Sequence, residues 1–170
     1  MLVRIVWSQR KAAFFYPIPP APRTAVLMAG FRSDDFVRVF PDGWNQEAKQ
    51  FEPQALAASL RQLEALAGVV SPSHALIVMR NEWEPRLTEI HRTALWKAFR
   101  VPAFEQVIGE DCTLLATECE VHLGLHIESP RFTAAGHTVQ SGRCDCGRVS
   151  PRLVSVQLID AGRRVAACAG

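Results

Sequence analysis

Cysteine and histidine are gathered into one short stretch of this chain, and that gathering limits the possible folds more than any other feature. The 170 residues hold five cysteines and five histidines. Four of the cysteines and three of the histidines fall between Cys112 and Cys146. Within that stretch Cys119-x-x-His122 is followed, after 21 intervening residues, by Cys144-x-Cys146-Gly147. Tetrahedral Zn²⁺ takes four N or S donors at about 2.0–2.3 Å, and two tight turns that each present two donors are how such structural sites are assembled. The sequence therefore predicts one structural Zn²⁺ held by Cys119, His122, Cys144 and Cys146, with the two turns folded together.

The surroundings fit that expectation. Gly147 can take the φ > 0 backbone that wrapping a metal often needs. Three thiolates and a neutral imidazole carry net −1, and Arg143 and Arg148 flank the second pair with compensating charge. Two other histidines are alternative donors. His126 stands four residues after His122, on the same face of an expected strand but about 13 Å along it, and is expected to be a surface residue or a support to a ligand rather than a donor. His137 lies in the connecting loop. Cys112 reads as a small buried hydrophobe, and Cys168 has no assigned role. Four good donors close the coordination shell, and no His-Glu-x-x-His arrangement supplies an open metal with a base, so the zinc is expected to be structural.

Composition excludes several classes. The chain is 48% apolar and 21% charged, the balance of a folded domain, and its length suits one domain spanning 1–170. The net charge of +2 is spread among interleaved arginines and acids, without the basic stripe of a nucleic-acid-binding surface. No apolar run approaches the ~20 residues that cross a bilayer, and the start lacks the pattern of a secretory leader. Cysteines in such a chain point to metal or free thiols, and the expected location is cytoplasmic.

Hydrophobic patterning predicts an α/β fold, a central mixed sheet with helical crossovers and a β-rich zinc-binding C-terminal part. Strands are expected at 2–7, 24–29 and 35–40, with the proline-rich segment from Tyr16 to Pro22 as an extended connector. Pro53 followed by Leu56, Leu60, Leu63 and Leu66, with Gly68 beyond, predicts an amphipathic helix. The run Ala75–Met79 predicts a buried strand. A second helix is expected from Pro85 to about Phe99, burying Leu87, Ile90, Ala94, Leu95 and Phe99. Another strand follows at 103–108. This is the order of parallel strands joined by crossovers, and it makes 1–110 the α/β portion. The β-rich portion, 111–170, is expected to carry strands at 113–120, 125–128 and 153–159.

Three stretches carry a family resemblance: Ala103 to Gly109 (AFEQVIG), Glu118 to His126 (ECEVHLGLH), and Gly142 to Leu153 (GRCDCGRVSPRL). Together with the strand and helix before them, they resemble the later part of the phenylacetate–CoA ligase-like adenylate-forming proteins, over residues 70 to 155. The resemblance implies a zinc held by a similar Cys/His and Cys-x-Cys set. The family's phosphate-cradling Ser/Thr/Gly loop has no counterpart in this chain. Gln106–Glu110 stands where its Tyr-Gly-x-Thr-Glu motif would fall, and His137 where the ribose-binding carboxylate would. Adenylation needs a phosphate nest, a ribose carboxylate and a lysine, so the resemblance implies a shrunken relative without the ATP chemistry.

Outside the cysteine cluster, Glu82, Trp83 and Glu84 follow a buried strand, where clefts form in parallel sheets, and are expected at a pocket lip. Trp44, in the loop Phe40–Asn45, is a further candidate ligand-binding residue. No residue is singled out as catalytic. The expected function is a zinc-stabilised, non-catalytic binding or accessory module that takes a protein partner or a small acyl-type ligand. The alternative is a small zinc- or carboxylate-dependent enzyme acting on an acyl-type substrate through Glu82, Glu84, Glu118 or His137.

Overall fold

A computed structural model describes residues 11–132 and 138–154. The strand expected at 2–7, most of that at 153–159, and both His137 and Cys168 lie outside the described residues.

The chain is a mixed α/β fold built on a nine-stranded sheet. One half is parallel. Its strands are β2 (Thr24–Val26), β4 (Val37–Val39), β5 (Ala55–Ala58), β6 (Ala75–Arg80) and β7 (Ala103–Ile108). The other half is antiparallel and comprises β8 (Leu114–Glu118), β9 (Leu125–Ile127), β10 (Thr138–Gln140) and β11 (Arg152–Val154). Across the sheet the order is β10-β11-β9-β8-β7-β6-β5-β2-β4, and the change from parallel to antiparallel pairing falls between β7 and β8. A short pair, β1 (Ala12–Ala13) with β3 (Phe31–Arg32), stands apart.

The helices are α1 (Gln46–Phe51), α2 (Leu60–Ala65) and α3 (Glu89–Phe99). All three cover one face, packing Ala48, Leu63, Leu95 and Phe99 against Leu56, Leu76 and Val78. The proline-rich N-terminal segment covers the other, laying Tyr16, Phe14 and Ile18 over Val26, Ile77, Met79 and Phe104. Strand alternation accounts for the division, since Leu76 and Val78 point one way and Ile77 and Met79 the other. Strands covered on both faces read as continuous apolar runs, and each fully buried leucine or isoleucine contributes about 1.5–3 kcal/mol. From β2 the chain moves outward to β4 through Phe31, on the strap face, and returns past β2 to β5 through α1, on the helix face. Opposite directions on opposite faces are what the right-handed crossover rule requires.

Two expectations fail here. The helix expected from Pro53 is a strand followed by a short helix. Ala55, Leu56, Ala57 and Ala58 are fully buried between β2 and β6, and burial on both faces overrides their helical propensity. The true helix start is the capping box at Ser59, whose hydroxyl accepts from Gln62 N–H while Gln62 reaches back to Ser59 N–H. In α3, Ile90 is 79% exposed and Ala94 lies outside the core, so its buried stripe is only Leu95 and Phe99. No helix among the described residues is long and apolar enough to cross a membrane.

The β-rich part extends the same sheet, and its own apolar core is small: Val107, Leu115, Ala116, Leu125 and Leu153. Gly124, with φ +123°, is what lets β9 and β11 meet. A Cβ placed on it would stand 2.1 Å from the Leu153 carbonyl oxygen. Gly124→Ala is expected to destabilise the protein by more than about 3 kcal/mol through strain and steric overlap. Urea denaturation of the variant against the parent checks this.

Candidate metal centre

The candidate site is built by a hairpin and a tight turn. After Glu118 the chain reverses. His122 N–H donates to the Cys119 carbonyl at 3.0 Å, His122 takes φ +55°, and Gly124 completes the reversal. The register then pairs Thr117 with His126 and Glu118 with Leu125. Thr117 and Cys119 share one face by alternation, and the pairing puts His126 on that same face. The second pair sits on a turn closed by Gly147 N–H to Cys144 O and Cys144 N–H to Arg148 O, both 2.8 Å. Gly147 has φ +89°, as its place after the second thiol predicts.

These segments bring together Cys119, His126, Cys144 and Cys146, one donor atom from each lying within 4.8 Å of all the others. The Cys119 and Cys144 sulfurs are 3.9 Å apart, and Cys146 Sγ is 3.4 Å from His126 Nε2. A tetrahedral ion with bonds of about 2.0–2.3 Å spaces its donors roughly 3.5–3.8 Å apart. The cluster can hold a metal ion.

Among the described residues, the histidine that completes the cluster is His126 and not His122. The hairpin explains the correction: the four residues between the two histidines span a chain reversal rather than one extended strand. His126 is fully buried, and its Nδ1 lies 3.0 Å from Ser150 Oγ. That contact orients the ring and leaves Nε2 facing the sulfurs. His122 instead stacks on Phe104, with ring centroids 4.8 Å apart, and its Nδ1 donates to Glu118 Oε1 at 3.0 Å.

The compensating cation also differs from expectation. Arg152, buried in β11, donates to Cys144 Sγ at 3.3 Å. Arg148 turns to Glu128, the Pro17 carbonyl and the ring of Phe15, tying the N-terminal strap to the metal turn. Cys112 is half-buried, its thiol against the Ala29 carbonyl.

Burial pushes the Cys119 thiol up to about 12, whereas for Cys144 the opposing effect of burial is outweighed by the Cys146 N–H, the neighbouring thiols and Arg152. Burial also lowers the His126 pKa, helped by Arg148. The folded state therefore binds fewer protons at His126 than the unfolded chain, so stability rises with pH up to the unfolded value near 6.5 and falls below it. Metal ligation works in the same direction, because protons compete for all four donors. Metal content measured by dialysis across pH 8 to 5 is expected to drop below about pH 6.5.

The two histidines make opposite predictions. His126→Ala is expected to abolish stoichiometric metal uptake, while His122→Ala keeps it, as metal analysis of the two purified variants checks.

The remaining candidates are dispersed. Glu82, Trp83 and Glu84 follow β6, with Trp83 67% exposed. Glu84 is held locally, its Oε2 accepting from Asn81 N–H and its carbonyl from Arg80. It lines a cavity of about 340 Å³ with Ser59 and Arg80, at the carboxyl end of β6. Trp44 packs against the helix-face core and lines a different hollow with Arg23, Lys49 and Gln54, near the starts of β2 and β5. The structure does not join these residues into one pocket.

Sequence reasoning missed a charged cluster beneath α3. Arg80 and Glu105, both buried, form an ion pair at 2.5 Å. Arg92 Nη2 donates to Glu118 Oε2 at 3.0 Å, and Glu105 N–H donates to the same oxygen at 2.9 Å. Two charged residues in buried strands, Arg80 closing Ala75–Arg80 and Glu105 beside Gln106 in Ala103–Ile108, were the available signal.

No protein-family model matches this chain, and no curated protein sequence matches it at a significant level.

Proposed function

We propose that this chain is a zinc-stapled, non-catalytic binding module, and a shrunken relative of the phenylacetate–CoA ligase-like proteins. The observation that carries the zinc reading is the donor set: three thiols and one imidazole whose donor atoms all lie within 4.8 Å of one another. Soft sulfur with nitrogen in a closed tetrahedron is the chemistry of structural zinc. Four protein donors leave no position for a reactive water, and three thiolates reduce the metal's Lewis acidity. Its role is to pin the antiparallel strands, whose own core is small. The relationship to the ligases rests on the Cys-x-Cys-Gly-Arg string and the strand order before it.

Cobalt substitution tests this reading. A closed S₃N tetrahedron gives intense visible bands and thiolate charge-transfer absorption, unchanged by added anions. Weak bands, or bands that shift when azide binds, mark an open metal and overturn the non-catalytic reading.

A second reading has one observation in its favour. Glu118 and His122 stand together at a cleft, the pairing an acyl-transferring or hydrolytic enzyme would use. Turnover of acyl esters that is lost in His122→Ala would favour the enzyme.

A further inference from the structure

The His122 ring lies at the mouth of a cleft of about 690 Å³, between α3 and the start of β7. Its charged lining is Arg86, Arg92, Glu89 and Glu118, beside His122, and its apolar lining includes Ile90 and Trp96. The cleft is separate from the metal donors, and it sits at the beginning of a parallel strand rather than beyond its carboxyl end.

The buried charges beneath the cleft balance only when the rim carboxylate Glu89 is counted. Three guanidiniums, Arg80, Arg86 and Arg92, surround two buried carboxylates, Glu105 and Glu118. Arg80 is taken by Glu105, and Arg92 by Glu118. Arg86 approaches Glu105 only to 4.0 Å and makes no hydrogen bond among the described residues, although its side chain is 31% exposed. Glu89 pairs with Arg92 from the rim, where its side chain is 91% exposed and water screens it. Arg86 thus keeps guanidinium donors that water reaches and that no group among the described residues matches. A guanidinium fork with free donors in a cleft suits an oxyanion. Beside it, Ile90 and Trp96 are 79% and 50% exposed on the outer side of α3, apolar surface without a partner.

We propose that this cleft binds a small oxyanion-headed molecule with an apolar body, the head on Arg86 and the body against Ile90 and Trp96. This inference rests on the binding-module reading and supplies that module's ligand class. Carboxylate and phosphate heads share the chemistry, and the probes separate them.

The test is calorimetric titration of the metal-loaded full chain with hexanoate and with hexyl phosphate, against hexanamide and hexanol. At least one anion is expected to bind saturably at one site, at least roughly tenfold tighter than its neutral counterpart. Arg86→Ala should weaken that anion about tenfold, with Arg86→Lys intermediate. Trp96→Ala should weaken the six-carbon anion more than its one- or two-carbon homologue. No anion binding, equal binding of the neutral probes, or an Arg86→Ala variant that binds like the parent overturns the inference. Metal content and melting are read on the same samples. An intact, metal-loaded fold that binds no anion defeats this inference alone, and anion binding without stoichiometric metal defeats the zinc reading alone.

Discussion

Cys144→Ser is expected to unfold the antiparallel half of the sheet. Serine is nearly isosteric, so the loss is one of ligation rather than packing. A structural zinc contributes apparent coupled folding energy of about 10–16 kcal/mol, as large as the whole stability of a typical domain at about 5–15 kcal/mol. Among the described residues, little else holds this part. Strands β9, β10 and β11 are three residues each, and the local core is five buried side chains. The parallel half, with two apolar layers of its own, has more to stand on. Amide exchange is therefore expected to show lost protection over residues 114–127 and 138–154, with slower exchange kept in β5 and β6. Cys146→Ser should behave alike. A variant that melts like the parent and keeps its metal would refute the assignment.

The second large effect is at Glu105. Its carboxylate is fully buried, paired with Arg80 and approached by Arg86 and Arg92. Glu105→Gln keeps the shape and removes the charge, leaving a buried guanidinium without its counter-ion. Breaking a buried pair in this way costs about 3–5 kcal/mol, because the desolvation of the remaining charge is no longer offset. Urea denaturation should show that loss at pH 7. Removing both charges, in Arg80→Met/Glu105→Met, should recover much of it, since apolar residues of similar volume replace such pairs at little cost. If the single variant is as stable as the parent, the cluster contributes nothing to the fold.

How far the sequence speaks for itself differs between the two halves of the sheet. The run at 75–79 is legible because a strand buried on both faces reads as continuously apolar, whereas Ala103–Ile108, which holds Glu105 and Gln106, is placed by Pro102 and by the strand–helix order before it. Ala55–Ala58 is not, because alanine suits a helix and a crowded central strand equally, and only the neighbouring strands decide. At the candidate metal centre the three cysteines are legible because soft donors cluster for few other reasons. The histidine is not. Choosing between His122 and His126 requires knowing that Gly124 ends a hairpin turn. Once Glu118 is set opposite Leu125, alternation places Cys119 and His126 on one face and leaves His122 in the turn. The charge cluster beneath α3 was hidden because its members come from four separate elements, each with an unremarkable arginine or glutamate.

Zinc K-edge X-ray absorption of the isolated 170-residue chain tests the central claim most directly. The account predicts one zinc per chain with a first shell of three sulfurs at about 2.3 Å and one imidazole nitrogen at about 2.0–2.1 Å, lost in His126→Ala and kept in His122→Ala. A chain without stoichiometric zinc, a shell dominated by oxygen, or an imidazole signal that follows His122 would contradict it.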